Sequence, residues 1–354
     1  MATNGHKGRG AISAPHGRFT SRPVDLDDRE THERAAVAPD TVVRSMPAGR
    51  ILSTNTSPDV PFDVSINPYQ GCEHGCIYCY ARPGHSYLDL SPGLDFETQI
   101  FFKPNAAARL LEAWEKPGYE CKPITIGANT DPYQPAERSH KVTRQLLELF
   151  LEHRHPVNII TKSNLVSRDI DLLEALARAR LTSVAVSLPT MDHDLKRAME
   201  PRVPSTGARL MTLKQLSEAG VPCSVLVAPI IPAINDNEIE AILRAASEAG
   251  ARQARYIFLR LPHEVKALFS EWLETHFPDR AERVLSLVRQ ASGGHDYDSR
   301  FHVRQKGRGP YADMLGARFE RACRELGLNT ENYQHVLDCH QFVRPGPQQL
   351  GLSL

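Results

Sequence analysis

Three cysteines fall within eight residues, at Cys72, Cys76 and Cys79, in the stretch Asn67-Pro68-Tyr69-Gln70-Gly71-Cys72-Glu73-His74-Gly75-Cys76-Ile77-Tyr78-Cys79-Tyr80. Four residues of chain reach at most about 13 Å, so the three sulfurs must lie close together, and Gly71 and Gly75 let the backbone curl around a metal group. Thiolates bind soft metals, and iron–sulfur clusters are held by cysteines at tight spacing. Three sulfurs leave the last corner of a cubane open to a substrate or cofactor, which separates a catalytic cluster from a closed electron carrier. Two other readings use the same residues. A structural zinc site would take a fourth ligand from His74 or a distant cysteine, and three buried cysteines without metal would be plain core.

Such a loop needs a scaffold that aims it. From about residue 60 short apolar runs alternate with amphipathic segments, the signature of a parallel sheet covered by helices. Six strands are predicted, at Val64 to Ile66, Pro123 to Gly127, Val157 to Thr161, Ser183 to Leu188, Cys223 to Pro229 and Tyr256 to Leu261, each too short and too rich in Val and Ile for a buried helix. A helical stripe follows each, as at Ser167 to Arg180, where Ser167 is positioned to cap and Ile170, Leu173, Leu176 and Ala177 share a face. Six right-handed βα units wind into an α/β fold, a partial (β/α)6 TIM-like barrel whose site lies at the strand C-terminal ends. The cysteine loop, the Asn129-Thr130-Asp131-Pro132 turn and Lys162-Ser163 all follow such ends. The expected division is a flexible N-terminal tail over 1–55, the barrel over 56–276, and a C-terminal extension over 277–354 that carries a helix at Ala312 to Leu326 and closes the barrel mouth or edge.

The bulk properties agree with a globular enzyme-sized chain. Its 354 residues are 41% hydrophobic and 24% charged, with 42 basic against 42 acidic side chains, so no global field draws it to nucleic acid or membrane. No apolar run approaches the roughly 20 residues that cross a bilayer, and no apolar segment follows the N-terminal charges as in a signal peptide, so a cytoplasmic location and no membrane partner are expected. Seven cysteines are an odd number and a poor disulfide framework.

The Cys-x3-Cys-x-aromatic-Cys pattern, with Tyr78 as the aromatic, resembles the signature of the radical S-adenosylmethionine (SAM) superfamily, and its place after the first strand matches that superfamily's partial barrel. The resemblance covers about residues 60 to 262. Within it, Asn67 to Cys72, Thr130-Asp131-Pro132-Tyr133-Gln134-Pro135 and Pro229-Ile230-Ile231-Pro232 are most similar to the group related to spore photoproduct lyase. The resemblance implies a [4Fe–4S] cluster on Cys72, Cys76 and Cys79, SAM chelated to its open iron, a low-potential electron donor of flavodoxin or ferredoxin type, and release of a 5′-deoxyadenosyl radical. It also implies a SAM pocket. Asn129, Thr130 and Asp131 stand where the superfamily commonly has a Gly-Gly-Glu contact to the SAM ammonium, a motif this chain lacks; Asp131 is the substitute carboxylate, or else the cap of an Asp-Pro turn. Lys162, Ser163 and Ser187 are candidates for the SAM carboxylate or ribose, and Arg209, with Arg202 as its competitor, for a carboxylate clamp. Tyr78 and Ile230 are candidates for the adenine slot.

The target of the radical is less legible. The lyase carries a hydrogen-donating cysteine where this chain has Asn129, which argues against the same route. Tyr133 is a candidate radical relay or substrate contact, and Cys339 a candidate hydrogen donor if the extension folds back to the mouth. Cys121, Cys223 and Cys323 read as core. Arg300 to Tyr311 interleaves basic and aromatic residues as single-strand binders do, so a nucleic-acid substrate is one expectation and a solvated charged face the other. The competing function is a non-catalytic zinc or iron–sulfur nucleic-acid-binding protein.

Overall fold

The computed structural model describes residues 8–19, 40–330 and 337–346. Among the described residues ten strands occur in chain order: β1 (Val42–Ser45), β2 (Leu52–Thr54), β3 (Val64–Ile66), β4 (Tyr69–Gln70), β5 (Gln99–Phe102), β6 (Ile124–Ile126), β7 (Val157–Thr161), β8 (Thr182–Ser187), β9 (Cys223–Ile230) and β10 (Gln253–Phe258). Six of them, β3 and β6 to β10, form one parallel run in sequence order, and β2 adds antiparallel to the β3 edge. This is the partial barrel. Buried parallel strands read as short Val- and Ile-rich runs because both faces are covered, which is why five predicted spans agree with the observed ones to within one residue; the sixth, expected at Tyr256 to Leu261, lies three residues earlier as β10.

Helices pack around the sheet and seal its outer face. Leu173 and Leu176 of the helix Ile170–Arg178 are fully buried, as are Leu146, Leu147 and Phe150 of Val142–Glu152. At the opposite side the barrel is left open between β10 and the β2–β3 edge, and the segment after residue 300 closes it. Arg304 and the His302 amide both bind the Asp59 carboxylate, at 2.5 Å each, and Phe258 N donates to Gln305 O at 2.7 Å.

Two parts of the reading change. Residues 1–55 are not wholly a tail: β1 lies parallel to β5, β5 pairs with β4, and residues 8–19 pack along the chain that follows the cysteines. Gly, Ser and Pro without a period carry no local signal, so only long-range contacts order this stretch. The C-terminal extension holds a second helix, Pro278–Ala291, in addition to Pro310–Glu325. No helix among the described residues is long and apolar enough to cross a membrane.

Candidate active site

The cysteine loop leaves β4 at Gln70 and is gripped from four directions. Cys72 N donates to Phe96 O at 2.9 Å, Ile77 N to Met199 O at 3.1 Å, and Glu73 N to the Gln134 side chain at 3.0 Å. Gly71 and Gly75 adopt positive φ, 78° and 66°. A Cβ on Gly75 would come within 2.6 Å of the Glu97 carboxylate, so the loop turns where only glycine fits.

Arg82 and Glu97 form the fourth grip, an ion pair with no solvent exposure. The Arg82 guanidinium donates to Cys76 O at 2.9 Å and to Pro92 O and Gly93 O. Glu97 in turn accepts the backbone amides of Gly10 and Ala11, at 2.9 and 2.8 Å. Residues 8–19 thus run as a strap across the loop, pinned farther on by Ser13 to Glu271 and Arg18 to Glu264. Gly10 has no room for a side chain, since its Cβ would lie 1.8 Å from Gly75 O. Gly10→Ala is therefore expected to lift the strap. Losing even one charge-assisted hydrogen bond to Glu97 makes local opening roughly tenfold easier, and amide hydrogen exchange across residues 72–79 should accelerate by that factor.

Cys72 and Cys76 are buried and Cys79 is half-buried. Burial pushes all three free thiols above their ordinary pKa, with Asp131 adding to the effect at Cys72 and Glu200 at Cys76. A cation in their midst would favour the thiolate form against this burial.

Next to Cys76 lies a buried hub that sequence reasoning passed over. Glu200 is fully enclosed, pairing with Arg209 at 2.8 Å and Lys162 at 3.1 Å and accepting the Tyr78 hydroxyl; Cys76 Sγ lies 4.0 Å from it. Burial alone would raise this carboxyl, but Arg209, Lys162 and Tyr78 hold it down at about 2. Lys162 Nζ also donates to Ser187 Oγ at 2.7 Å and sits 5.5 Å from the Tyr78 ring centre. Of the residues singled out in sequence, Tyr78, Lys162, Ser187 and Arg209 thus meet around one glutamate. Arg209 is fully buried and also donates to Ser187 O, so it braces Glu200 and the β8 end rather than standing open as a clamp. Arg202 is linked instead to Glu73 and Thr41.

Asp131 stands on the other side of the loop. Its carboxylate accepts Thr161 Oγ1 and Lys162 N, both at 2.7 Å, and Tyr133 N at 2.9 Å, with His74 Nδ1 3.4 Å away. Burial would raise its pKa, but His74 and these donors pull it below the usual carboxylate range. It is the Asp-Pro turn cap and also the strut that sets the start of the Lys162 loop. Thr130 Oγ1 is tied to Tyr69 O at 2.7 Å, and Ser163 Oγ caps the 3₁₀ turn Asn164–Asp169 through Leu165 N; Ser167, expected to cap the next helix, instead donates to Gln215, and that helix begins at Ile170 with no side-chain cap. Ile230 is 1% exposed and packs as core at the end of β9. Asn129 lines the barrel cavity.

Two candidates are placed away from the cysteines. The Tyr133 ring is fully buried and its hydroxyl donates to Asp169 at 3.1 Å, inside an ionic cluster with Arg168 and Arg144, so it offers no surface to a ligand. Cys339 lies at the opposite end of the barrel. Its 3₁₀ turn Cys339–Gln341 is held by Arg180 O and Ala179 O, which precede β8, and its thiol meets Cys121, which precedes β6. The extension folds back, but under the barrel rather than over its mouth.

The cavity within the barrel has a volume of about 470 Å³. Tyr80, directly after Cys79, lines it, with its hydroxyl on Ala128 O, so one residue separates the cysteine loop from the lumen. The basic segment Arg300 to Tyr311 forms part of the wall through Arg304 and Gln305, and Arg300 and Arg304 are paired with Asp298 and Asp59. Much of its charge is thus neutralised within the fold.

An uncharacterized protein of Mycobacterium tuberculosis is 36% identical over 65% of this chain and 68% of its own length. Among solved structures, a cysteine-to-serine variant of spore photoproduct lyase aligns with a TM-score of 0.60 and 16% identity, covering 88% of this chain and 87% of that one. A double variant of the same lyase, with bound AdoMet and dinucleoside spore photoproduct, aligns at 0.57 and 15% over 87% and 86%. These two likenesses establish the shared barrel. The Radical SAM superfamily model itself matches residues 66–246, from the last residue of β3 through most of the helix Ile239–Glu248. That span takes in the cysteine loop, Lys162, Ser187 and the Glu200 hub, and the chain is a member of the radical SAM superfamily, whose cofactors are a [4Fe–4S] cluster and S-adenosylmethionine.

Proposed function

We propose that Cys72, Cys76 and Cys79 ligate a [4Fe–4S] cluster at the barrel mouth, that SAM binds against Lys162 and Ser187, and that the enzyme acts on a substrate held in the lumen below. The observation that carries this reading is a glycine-turned loop of three raised-pKa thiols placed between a lysine–serine pair and a cavity of substrate size. When bound, the two cofactors supply one-electron reductive cleavage of SAM to a 5′-deoxyadenosyl radical, with the electron drawn from a flavodoxin- or ferredoxin-type donor. The protein's own part is placement and exclusion of water.

The residues suit the cofactors. Lys162 is partly exposed beside Ser187, an ammonium and a hydroxyl together, which fits an α-carboxylate. Asp131 fixes the Lys162 backbone, while Glu200 limits where the ammonium can swing. Tyr80, next in sequence to Cys79, and Asn129, two residues before Asp131, line the lumen. A zinc ion is less well served: His74 faces Asp131 rather than the sulfurs, and no three His, Cys, Asp or Glu side chains among the described residues converge on one ion. A cubane asks each sulfur to meet a different iron, which spreads the ligands apart.

Anaerobic reconstitution with iron and sulfide is expected to give a brown protein with one cubane per chain, and dithionite with SAM should then release 5′-deoxyadenosine. Zinc near one equivalent, without iron or sulfide, would favour the non-catalytic reading and end this one.

A further inference from the structure

Barrel interiors are ordinarily filled by branched aliphatic side chains, but this one, among apolar walls, carries a row of polar residues and several arginines. Ser65, Thr125, Asn158 and Ser183 stand in one register row across β3, β6, β7 and β8, with Ser183 Oγ donating to Asn158 Oδ1 at 2.7 Å. Side chains alternate along a strand, so the next inward layers rise toward the mouth. Two layers up, Ser187 is level with Leu226, and Leu226 with Arg255 on β10. Arg255 is therefore two strand spacings, about 10 Å, from the Ser187 that bonds Lys162.

The charges in this cavity do not balance. Its lining includes Arg255, Arg260 and Arg304 against one aspartate, Asp59, which Arg304 and the His302 amide already bind. Arg260 reaches the Tyr297 hydroxyl at 3.1 Å and lies over the Tyr80 ring, while its buried Nε has no partner among the described residues. Arg255 lines the cavity, is open to solvent from it, and has no hydrogen-bond or ion-pair partner among the described residues. Partial desolvation by the surrounding walls draws its pKa below the ordinary value, with no carboxylate to offset it. An arginine kept this way leaves a planar fork of donors waiting, a geometry that matches a phosphate or carboxylate in two parallel hydrogen bonds.

We propose that the lumen binds a substrate through an oxyanion, phosphate or carboxylate, seated on Arg255 and steadied by Arg260, while the row from Ser65 to Ser183 hydrogen-bonds the remainder of the molecule. The proposal rests on the radical SAM reading of the mouth above it. At about 470 Å³ the cavity falls in the range of small-molecule sites, roughly 300–1,000 Å³. It admits a unit the size of one nucleotide or a few amino acids and excludes a duplex, from which a base would have to be withdrawn.

The test is calorimetric titration of the reconstituted full-length protein at low salt with two matched pairs, thymidine 5′-monophosphate against thymidine and N-acetylalanine against its amide. One charged probe is expected to bind at least tenfold tighter than its uncharged match, and which one does so identifies the oxyanion. Arg255→Gln should weaken that probe by about 10- to 100-fold, the loss of a charge-assisted pair, and Arg255→Lys should recover part of it. Equal binding of charged and uncharged probes by the wild type overturns the proposal without any variant, as does an Arg255→Gln protein that melts like the wild type and keeps the preference. Binding is read without turnover. Iron content and 5′-deoxyadenosine release on the same wild-type batch report on the mouth separately, so either reading can fail while the other stands.

Discussion

Replacing Cys76 with alanine is expected to reduce 5′-deoxyadenosine release to background and to bleach the reconstituted protein. Cys76 is the middle cysteine of the loop and is firmly held, with its carbonyl on Arg82, its sulfur in the core and the following Ile77 amide on Met199. Removing it leaves two sulfurs, which cannot retain a cubane with one open iron. The controls are Cys223→Ala and Cys323→Ala, whose thiols are buried in β9 and in the helix Pro310–Glu325, far along the chain from the loop. Both should keep full iron content despite some loss of stability. Iron retained by Cys76→Ala at the wild-type level would show that the loop is not the cluster site.

Glu200→Gln is expected to be the most damaging isosteric change in the molecule. It leaves Arg209 buried without a counter-charge and Lys162 without its restraint, and breaking one side of a buried pair destabilises by about 3–5 kcal/mol. Denaturant unfolding measures this directly. A cycle with Arg209→Met separates pairing from packing: if the ion pair is the cause, the double variant is more stable than the sum of the single changes predicts. Equal additivity would assign the loss to packing alone. Because Lys162 contacts Ser187 from the same position, the single variant should also weaken SAM binding, read by equilibrium dialysis, before it unfolds the barrel.

The cysteine loop was legible because three cysteines within eight residues need no fold to bring them together. Lys162 and Ser187 were legible through topology, since parallel strands deliver their C-terminal ends to one face. Glu200 was not, for it stands 122 residues from Tyr78 and 124 from Cys76, and nothing local marks it except the Pro201 that ends the preceding helix. Arg209 was found for its fork, yet its partner decides its role, and pairing is a tertiary fact. Tyr133 and Cys339 failed for one reason: their sequence neighbours suggest the mouth, but a side chain's direction on an irregular segment follows packing. Asp169 and Cys121 set those directions.

The strap over the cysteine loop has a consequence for the order in which the protein matures. Its anchors are Glu97, Glu264 and Glu271, so the strap can be seated along its whole length only once the chain through residue 271 has folded against it. Closure over the cysteine loop is thereby coupled to docking of the helix that carries Glu271, a distant part of the same barrel.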